Sequence, residues 1–155
     1  LVAPTEFRGI VNAHYQIEPN RIESLGAAPH SFLGVIGGTA EWVFVKPGHV
    51  SVTISAAEHL IDRAAEDLAQ AIWRDVQRAL ELNAVPMPRW RIVKEKRATF
   101  AATPAQLRRR PGPVTEHHNM FLAGDWTDTG WPSTIEGAIR SGFAAAQAIG
   151  GQMQH

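Results

Sequence analysis

The chain has 155 residues, in which 15 basic and 15 acidic side chains cancel. That balance excludes the one-signed field that holds nucleic acid, and the absence of cysteine excludes disulfides, thiolate nucleophiles and cysteine-bound metal. No apolar run reaches the ~20 residues of a spanning helix, so a cytoplasmic chain, at most peripheral to a membrane, is the expectation.

Phe7 to Ile17 carries β-branched and aromatic residues with partial alternation and is broken by Glu18-Pro19-Asn20, which predicts a strand. Ser31 to Ile36 predicts a second. Gly34, Gly37 and Gly38 match no phosphate-loop spacing, and a turn between strands is the reading. Ala40 to Val45 and His49 to Ser55 predict a hairpin around Lys46-Pro47-Gly48. Ser55-Ala-Ala-Glu58 has the form of a capping box. Beyond it, Ile61, Ala64, Leu68, Ile72, Val76 and Leu80 recur three or four apart, which predicts an amphipathic helix covering the sheet, its longer part running from about Arg63 to Leu82.

Asn83 to Pro88 is a Pro-rich turn, and Arg89 to Phe100 is a strand crossing between subdomains. The charge run Lys94-Glu-Lys-Arg97 is expected on a solvated face. Thr103 to Thr115 is expected as loop, with Arg108-Arg109-Arg110 solvated in it and contact with an anionic lipid or diphosphate as the lesser alternative. Met120 to Ala123 predicts a short buried strand, Gly124 a close backbone approach, and Asp125 an acceptor suited to a polyol. Pro132 precedes Ser133, and Ser133 with Glu136 forms a second Ser-x-x-Glu capping box. The helix predicted from Thr134 to about Ile149 is expected to bury Ile135, Ile139, Gly142, Phe143, Ala146 and Ile149, with Gly150-Gly151 as its stop. None of the seven histidines has a metal-ligand spacing, and no Gly-x-Ser-x-Gly elbow is present.

The string Leu122-Ala-Gly-Asp-Trp126, followed by Thr129-Gly-Trp-Pro-Ser-Thr-Ile-Glu-Gly-Ala138 and Ser141-Gly142, resembles the C-terminal flavin-binding motif of amine oxidases and phytoene-desaturase-like flavoproteins. With Ile10-Val-Asn-Ala-His-Tyr15, Ser51-Val-Thr-Ile-Ser-Ala-Ala57 and Trp90 to Pro104, the likeness narrows to the C-terminal part of the hydroxysqualene dehydroxylase family, the squalene-associated FAD-dependent desaturases. It runs from about Ile10 to about Ile149.

The resemblance implies FAD as cofactor, reductive dehydroxylation of hydroxysqualene to squalene, and a hydrophobic isoprenoid substrate. Asp125 would contact the ribityl or pyrophosphate region, and the Thr134 and Ile135 backbone would face the flavin ring. Gly124, Trp126, Pro132 and Ser133 complete the expected cofactor turn. Trp42, Phe44 and Trp131 are candidates for lining the substrate path, although for Trp42 and Phe44 the sheet core is the ordinary alternative. A carotenoid desaturase, an amine oxidase, and a non-catalytic oligomerising module all stay open. The expected fold is α+β: an antiparallel sheet with a covering helix, plus the strand-turn-helix of an FAD-binding domain. Residues 1–88 would belong to a substrate domain and 89–155 to the crossing strand and flavin domain. The Gly-x-Gly-x-x-Gly half is the expected missing partner, and self-association of the chain is the expected consequence of lacking it.

Overall fold

A computed structural model describes residues 2–18, 31–82 and 85–152. Five strands form one sheet in the order β2-β3-β4-β1-β5: β1 is Phe7–Gln16, β2 Phe32–Gly34, β3 Trp42–Lys46, β4 His49–Ile54 and β5 Trp90–Phe100. The pairings β1 with β4, β2 with β3 and β3 with β4 are antiparallel. A 3-10 turn at Glu58–Leu60 and three helices complete the architecture: α1 Ala65–Ala79, α2 Pro104–Leu107 and α3 Ile135–Gln152. The α+β reading of the sequence holds at this level. Pro19 and Asn20 of the expected strand break, and Asn83 and Ala84 of the Pro-rich turn, lie outside the described residues.

Two compact units are present, Gly9–Lys96 and Leu1–Arg8 with Arg97–His155. They part inside β1 and β5, whereas the sequence reading divides the chain between residues 88 and 89.

In the first unit the two periodicities meet as expected. Alternate residues of three strands turn inward, Val11, Ala13 and Tyr15 from β1, Val43 and Val45 from β3, and Val50, Val52 and Ile54 from β4. Leu68, Ile72, Trp73 and Val76 of α1 close over them. The Tyr15 hydroxyl donates to the Ala69 carbonyl at 2.7 Å, and its ring lies 5.0 Å from that of Trp73. Burial pushes the Tyr15 pKa far above its ordinary value, with the Asp75 charge adding to the effect. The hairpin turns where expected: Pro47 fixes one backbone angle and Gly48 adopts φ +77°.

Three local readings are corrected here. Ser55 caps nothing: its N–H donates to a Glu41 carboxylate oxygen at 2.8 Å, Ala56 turns to φ 47°, and Glu58 accepts from Gly9 N–H instead. Helix α1 begins only at Ala65 without a side-chain cap, and ends at Ala79 because Glu81 takes φ 54° while Leu82 N–H bonds back to the Gln77 carbonyl. Of the charge run, Glu95, Lys96 and Arg97 are exposed as expected, but Lys94 is half-buried, its ammonium reaching the carbonyls of Ile61 and Arg63 and closing the turn that precedes α1.

The opposite face of the sheet is uncovered by this unit's own helix. Register places Trp42 beside Thr53 and Asn12, then Phe32 and Phe44 beside Ser51 and His14, then Lys46 beside His49 and Gln16. Trp42 and Phe44 therefore lie on the open face, with Trp42 46% exposed, and not in the core.

In the second unit the expected loop from Thr103 contains α2, because Thr103 Oγ1 accepts from Gln106 N–H at 3.3 Å and Pro104 fits the first helical position. The expected strand at Met120 to Ala123 is reduced to one antiparallel bridge, Phe121 with Val114, backed by Leu122 N–H to Pro113 carbonyl at 2.9 Å. A strand needs a ladder, and only this short stretch faces it. Helix α3 runs through Gly150 and Gly151, since glycine weakens a helix by ~1 kcal/mol without forbidding it. Its inward face is also not the expected one. Gly137, Ser141 and Ala145 are buried, while Ile135, Ile139, Phe143 and Ile149 are 83%, 50%, 67% and 41% exposed.

Candidate functional site

The inward face of α3 consists of small residues because the backbone of the preceding turn presses against it. A Cβ on Gly137 would stand 2.5 Å from the Pro132 carbonyl oxygen. One turn further on, the Ser141 hydroxyl accepts from Gly124 N–H at 2.7 Å and donates to the Ala138 carbonyl at 2.6 Å. Gly124 itself has φ +142°, and a Cβ there would lie 2.5 Å from Trp126 Nε1. Its carbonyl accepts from both the N–H and the hydroxyl of buried Thr127. The turn is fixed at both ends by groups that only glycine and a small hydroxyl residue accommodate.

Arg110 holds the outer side of the same turn. Its guanidinium donates to the carbonyls of Asp125 (3.1 Å), Trp131 (2.7 Å) and Thr127, and lies 5.3 Å from the centre of the Phe100 ring. Its Nε is buried without a hydrogen-bond partner. Of the basic run only Arg108 is exposed as expected, since Arg109 Nε also donates, to the Ala3 carbonyl at 2.9 Å. Composition around the run pointed to solvent. The missed signal is that carbonyl-rich turns without their own hydrogen bonds need a donor with several N–H groups, and arginine is that donor.

Within this framework Asp125 faces a cavity of about 350 Å³ together with Trp126, Ser133, Phe7, Arg97 and Phe100. Ser133 donates its hydroxyl to Asp125 Oδ2, while among the described residues Oδ1 accepts nothing. Arg97, the last residue of the charge run, lies over the Phe7 ring at 4.0 Å and borders the cavity. Neither Phe7 nor Arg97 was singled out as a site residue from sequence; both arrive through contacts distant along the chain.

The bond from Ser133 to Asp125 displaces the expected capping box. Thr134 is the cap, its Oγ1 accepting from Gly137 N–H at 3.1 Å, and Glu136 pairs with Arg140 at 2.7 Å instead of reaching back. Adjacent Ser and Thr can both cap, and the carboxylate of Asp125 decides between them by occupying Ser133. Thr134→Ala is therefore expected to cost on the order of 1 kcal/mol in chemical denaturation, with Ser133→Ala leaving the cap in place. Equal losses from both variants would return the cap to Ser133.

Of the residues chosen from sequence, the structure brings Asp125, Trp126 and Ser133 to one cavity, with Gly124 in the adjoining turn. Pro132 and Thr134 shape the helix start, and Ile135 is exposed. Trp131 does not border the cavity: it is 44% exposed, with the Arg140 guanidinium 4.4 Å above its ring. Trp42 and Phe44 belong to the other unit. Among the described residues no cluster of His, Asp and Glu could hold a metal ion.

The polar side chains of the cavity wall, Asp125, Ser133, Thr99 and Arg97, are suited to holding and orienting a ligand. A carboxylate held by a hydroxyl, with one oxygen free, suits ligand hydroxyls, and the flanking aromatic and aliphatic walls suit a flat or apolar group. Residues 31–150 match the family described as flavin containing amine oxidoreductase, and the chain belongs to that family. Among its curated relatives, it is 52% identical over 146 residues to hydroxysqualene dehydroxylase of Sinorhizobium fredii, a match covering 94% of this chain and 33% of the relative. It is 49% identical over 149 residues to hydroxysqualene dehydroxylase of Rhodopseudomonas palustris, covering 96% of this chain and 34% of that protein. With 15-cis-phytoene desaturase of Synechococcus elongatus it shares 29% identity over 105 residues, which is 64% of this chain and 22% of the relative. The chain thus spans about a third of the length of the hydroxysqualene dehydroxylases it matches.

Proposed function

We propose that the chain is the C-terminal part of an FAD-dependent oxidoreductase of isoprenoid metabolism, acting in the reductive dehydroxylation of hydroxysqualene to squalene. The observation that carries the reading is the Asp125 carboxylate, braced by Ser133 and facing the cavity beside Gly124 and Trp126. The donor set fits the group: Oδ1 is a free acceptor for a ribityl hydroxyl, and the apolar wall takes part of the remainder. When bound, reduced flavin would supply hydride to the carbon that loses its hydroxyl, the hydroxyl leaving as water with a proton taken from solvent and the flavin ending oxidised. This chain's residues hold and orient: Asp125 by hydrogen bonding, Thr134 and Ile135 through the helix start, and Trp126 by walling the cavity against water. Trp131 in one unit, and Trp42 and Phe44 in the other, are each assigned to contact with apolar isoprenoid chains, whose burial needs apolar surface more than charge. Gly9–Lys96 is assigned to the substrate region, and Leu1–Arg8 with Arg97–His155 to the flavin region.

The remaining two thirds of the relatives' length would supply the rest of the dinucleotide site and cover the exposed stripe Ile135, Ile139, Phe143 and Ile149. Produced alone, the chain is assigned to self-associate through that stripe and to bind FAD weakly. No described helix is long and apolar enough to cross a membrane, and a cytoplasmic enzyme meeting its substrate at the membrane surface is the proposed setting.

The test is an Asp125→Ala variant of a full-length protein containing this chain, titrated with FAD. Loss of a hydrogen bond to a charged group is worth about 1.5–3 kcal/mol, so affinity should fall about 10- to 100-fold. Unchanged affinity in a folded variant would remove Asp125 from the site. Product analysis with hydroxysqualene, phytoene and amines then separates the dehydroxylase from a desaturase and an amine oxidase.

A further inference from the structure

The uncovered sheet face of the first unit ends in a group of cations. His14, Gln16, His49, Arg89 and Arg91 line a concavity of about 420 Å³, and Lys46 stands directly across the hairpin ladder from His49. Among the described residues Lys46, His49, Arg89 and Arg91 have no ion-pair partner, and no carboxylate lines the concavity. His14 Nδ1 lies 3.0 Å from Ser51 Oγ, which fixes the ring on the open face. Burial, followed by the charges of His49, Lys46 and Arg91, lowers its pKa, as expected where positive groups converge.

Apolar surface begins where the cations end. The row next to Lys46, His49 and Gln16 holds Phe44 and Phe32, and the row beyond holds Trp42. Rows two residues apart are separated by ~7 Å, so the aromatic patch starts about 7 Å from the cation row and extends roughly as far again. The ring centroids of Phe32 lie 6.1 Å from those of both Trp42 and Phe44, and Phe32 is 65% exposed. A one-signed polar end joined to an aromatic strip is complementary to a molecule with an anionic head and an apolar tail.

We propose that this face binds a phosphate-headed amphiphile, its phosphate in the concavity between Arg89, Arg91 and His49 and its apolar chain along Phe44, Phe32 and Trp42. Arginine offers planar paired donors to phosphate oxygens, and the histidines and Gln16 supply further polar contacts. The ligand carries a phosphate that hydroxysqualene lacks, so the assignment goes beyond the flavin reading. It stands on Gly9–Lys96 alone, so its failure leaves the Asp125 site untouched and failure at Asp125 leaves this face untouched.

Two probes distinguish a soluble phosphate ester from a lipid headgroup on a full-length protein containing this chain. The first is calorimetric titration with inorganic pyrophosphate, and the second is co-sedimentation with phosphatidylcholine vesicles with and without phosphatidylglycerol. An Arg89→Gln/Arg91→Gln double variant should weaken pyrophosphate binding by about tenfold or more, because two charge-assisted contacts are removed from exposed positions. Arg74→Gln, an exposed arginine on α1, should leave it within about twofold, since α1 covers the opposite face of the sheet and Arg74 does not line the concavity. Phe32→Ala/Trp42→Ala should lower vesicle binding and spare pyrophosphate. Pyrophosphate binding with vesicle binding only when phosphatidylglycerol is present identifies a lipid headgroup; pyrophosphate binding without vesicle binding identifies a soluble phosphate ester. Absence of saturable pyrophosphate binding, or an equal loss in Arg74→Gln, overturns the proposal.

Discussion

Replacing Asp75 by alanine is expected to destabilise the first unit by about 2–4 kcal/mol, because it strips a buried acceptor from three donors at once. The carboxylate is 7% exposed and accepts from Thr39 N–H at 2.6 Å, Ala40 N–H at 3.0 Å and the Arg78 guanidinium at 2.9 Å. It projects from α1 into the turn between β2 and β3, so it ties the covering helix to the sheet edge that the turn belongs to. Gly38 is part of the same device: a Cβ there would sit 2.6–2.8 Å from the carboxylate atoms. Asp75→Asn keeps one carbonyl acceptor for the backbone and should cost less than Asp75→Ala. Chemical denaturation of the three proteins decides it. A loss in Asp75→Ala below about 0.5 kcal/mol, the range of ordinary surface changes, would mean that the turn holds itself.

The same contact shows what the sequence could and could not convey about the fold. Alternation in Val11 to Tyr15 and Val50 to Ile54, and the three-four spacing of Leu68, Ile72 and Val76, are local patterns, and each produced the element it implies. The glycines at 37 and 38 were rightly read as a turn, but their partner Asp75 lies 36 residues from Thr39 and leaves no local mark. Helix α3 was legible as a helix and not as a surface. It carries a large-apolar stripe and a small-residue stripe, and hydrophobicity alone selects the large one for burial. Close backbone approach selected the small one, through Gly137 against Pro132 and Ser141 against Gly124.

The candidate site divides along the same line. Asp125, Trp126 and Ser133 were readable because they share one short motif whose spacing forces them together. Phe7 and Arg97 reach the cavity from distant parts of the chain, and the competition between Ser133 and Thr134 for the cap turns on a carboxylate eight residues earlier. Residue type named the right chemistry in each case, whereas the partner of each group depended on tertiary packing.

Arg110→Met is expected to damage the site more than any change to Asp125, since it removes the donor that three carbonyls of one turn share. Those carbonyls belong to Asp125, Thr127 and Trp131, which bracket the carboxylate and the approach to Ser133. Hydrogen bonds from a charged donor contribute about 1.5–3 kcal/mol each and are not additive within one guanidinium, so a total near 3–5 kcal/mol is the expected loss. Methionine keeps an unbranched apolar side chain beside Phe100 while removing the guanidinium and its contact with that ring. Arg110→Lys is the sharper comparison. An ammonium keeps the charge but cannot present a rigid planar fork to three oxygens, so it should recover only a minority of the stability. Denaturation midpoints report the global cost, and amide exchange at Thr127 and Asp128, whose N–H groups bond to Gly124 and Pro111, reports the turn itself. If the lysine variant matches the native protein in both measurements, charge rather than donor geometry holds the turn, and the framework assigned to Arg110 falls with it.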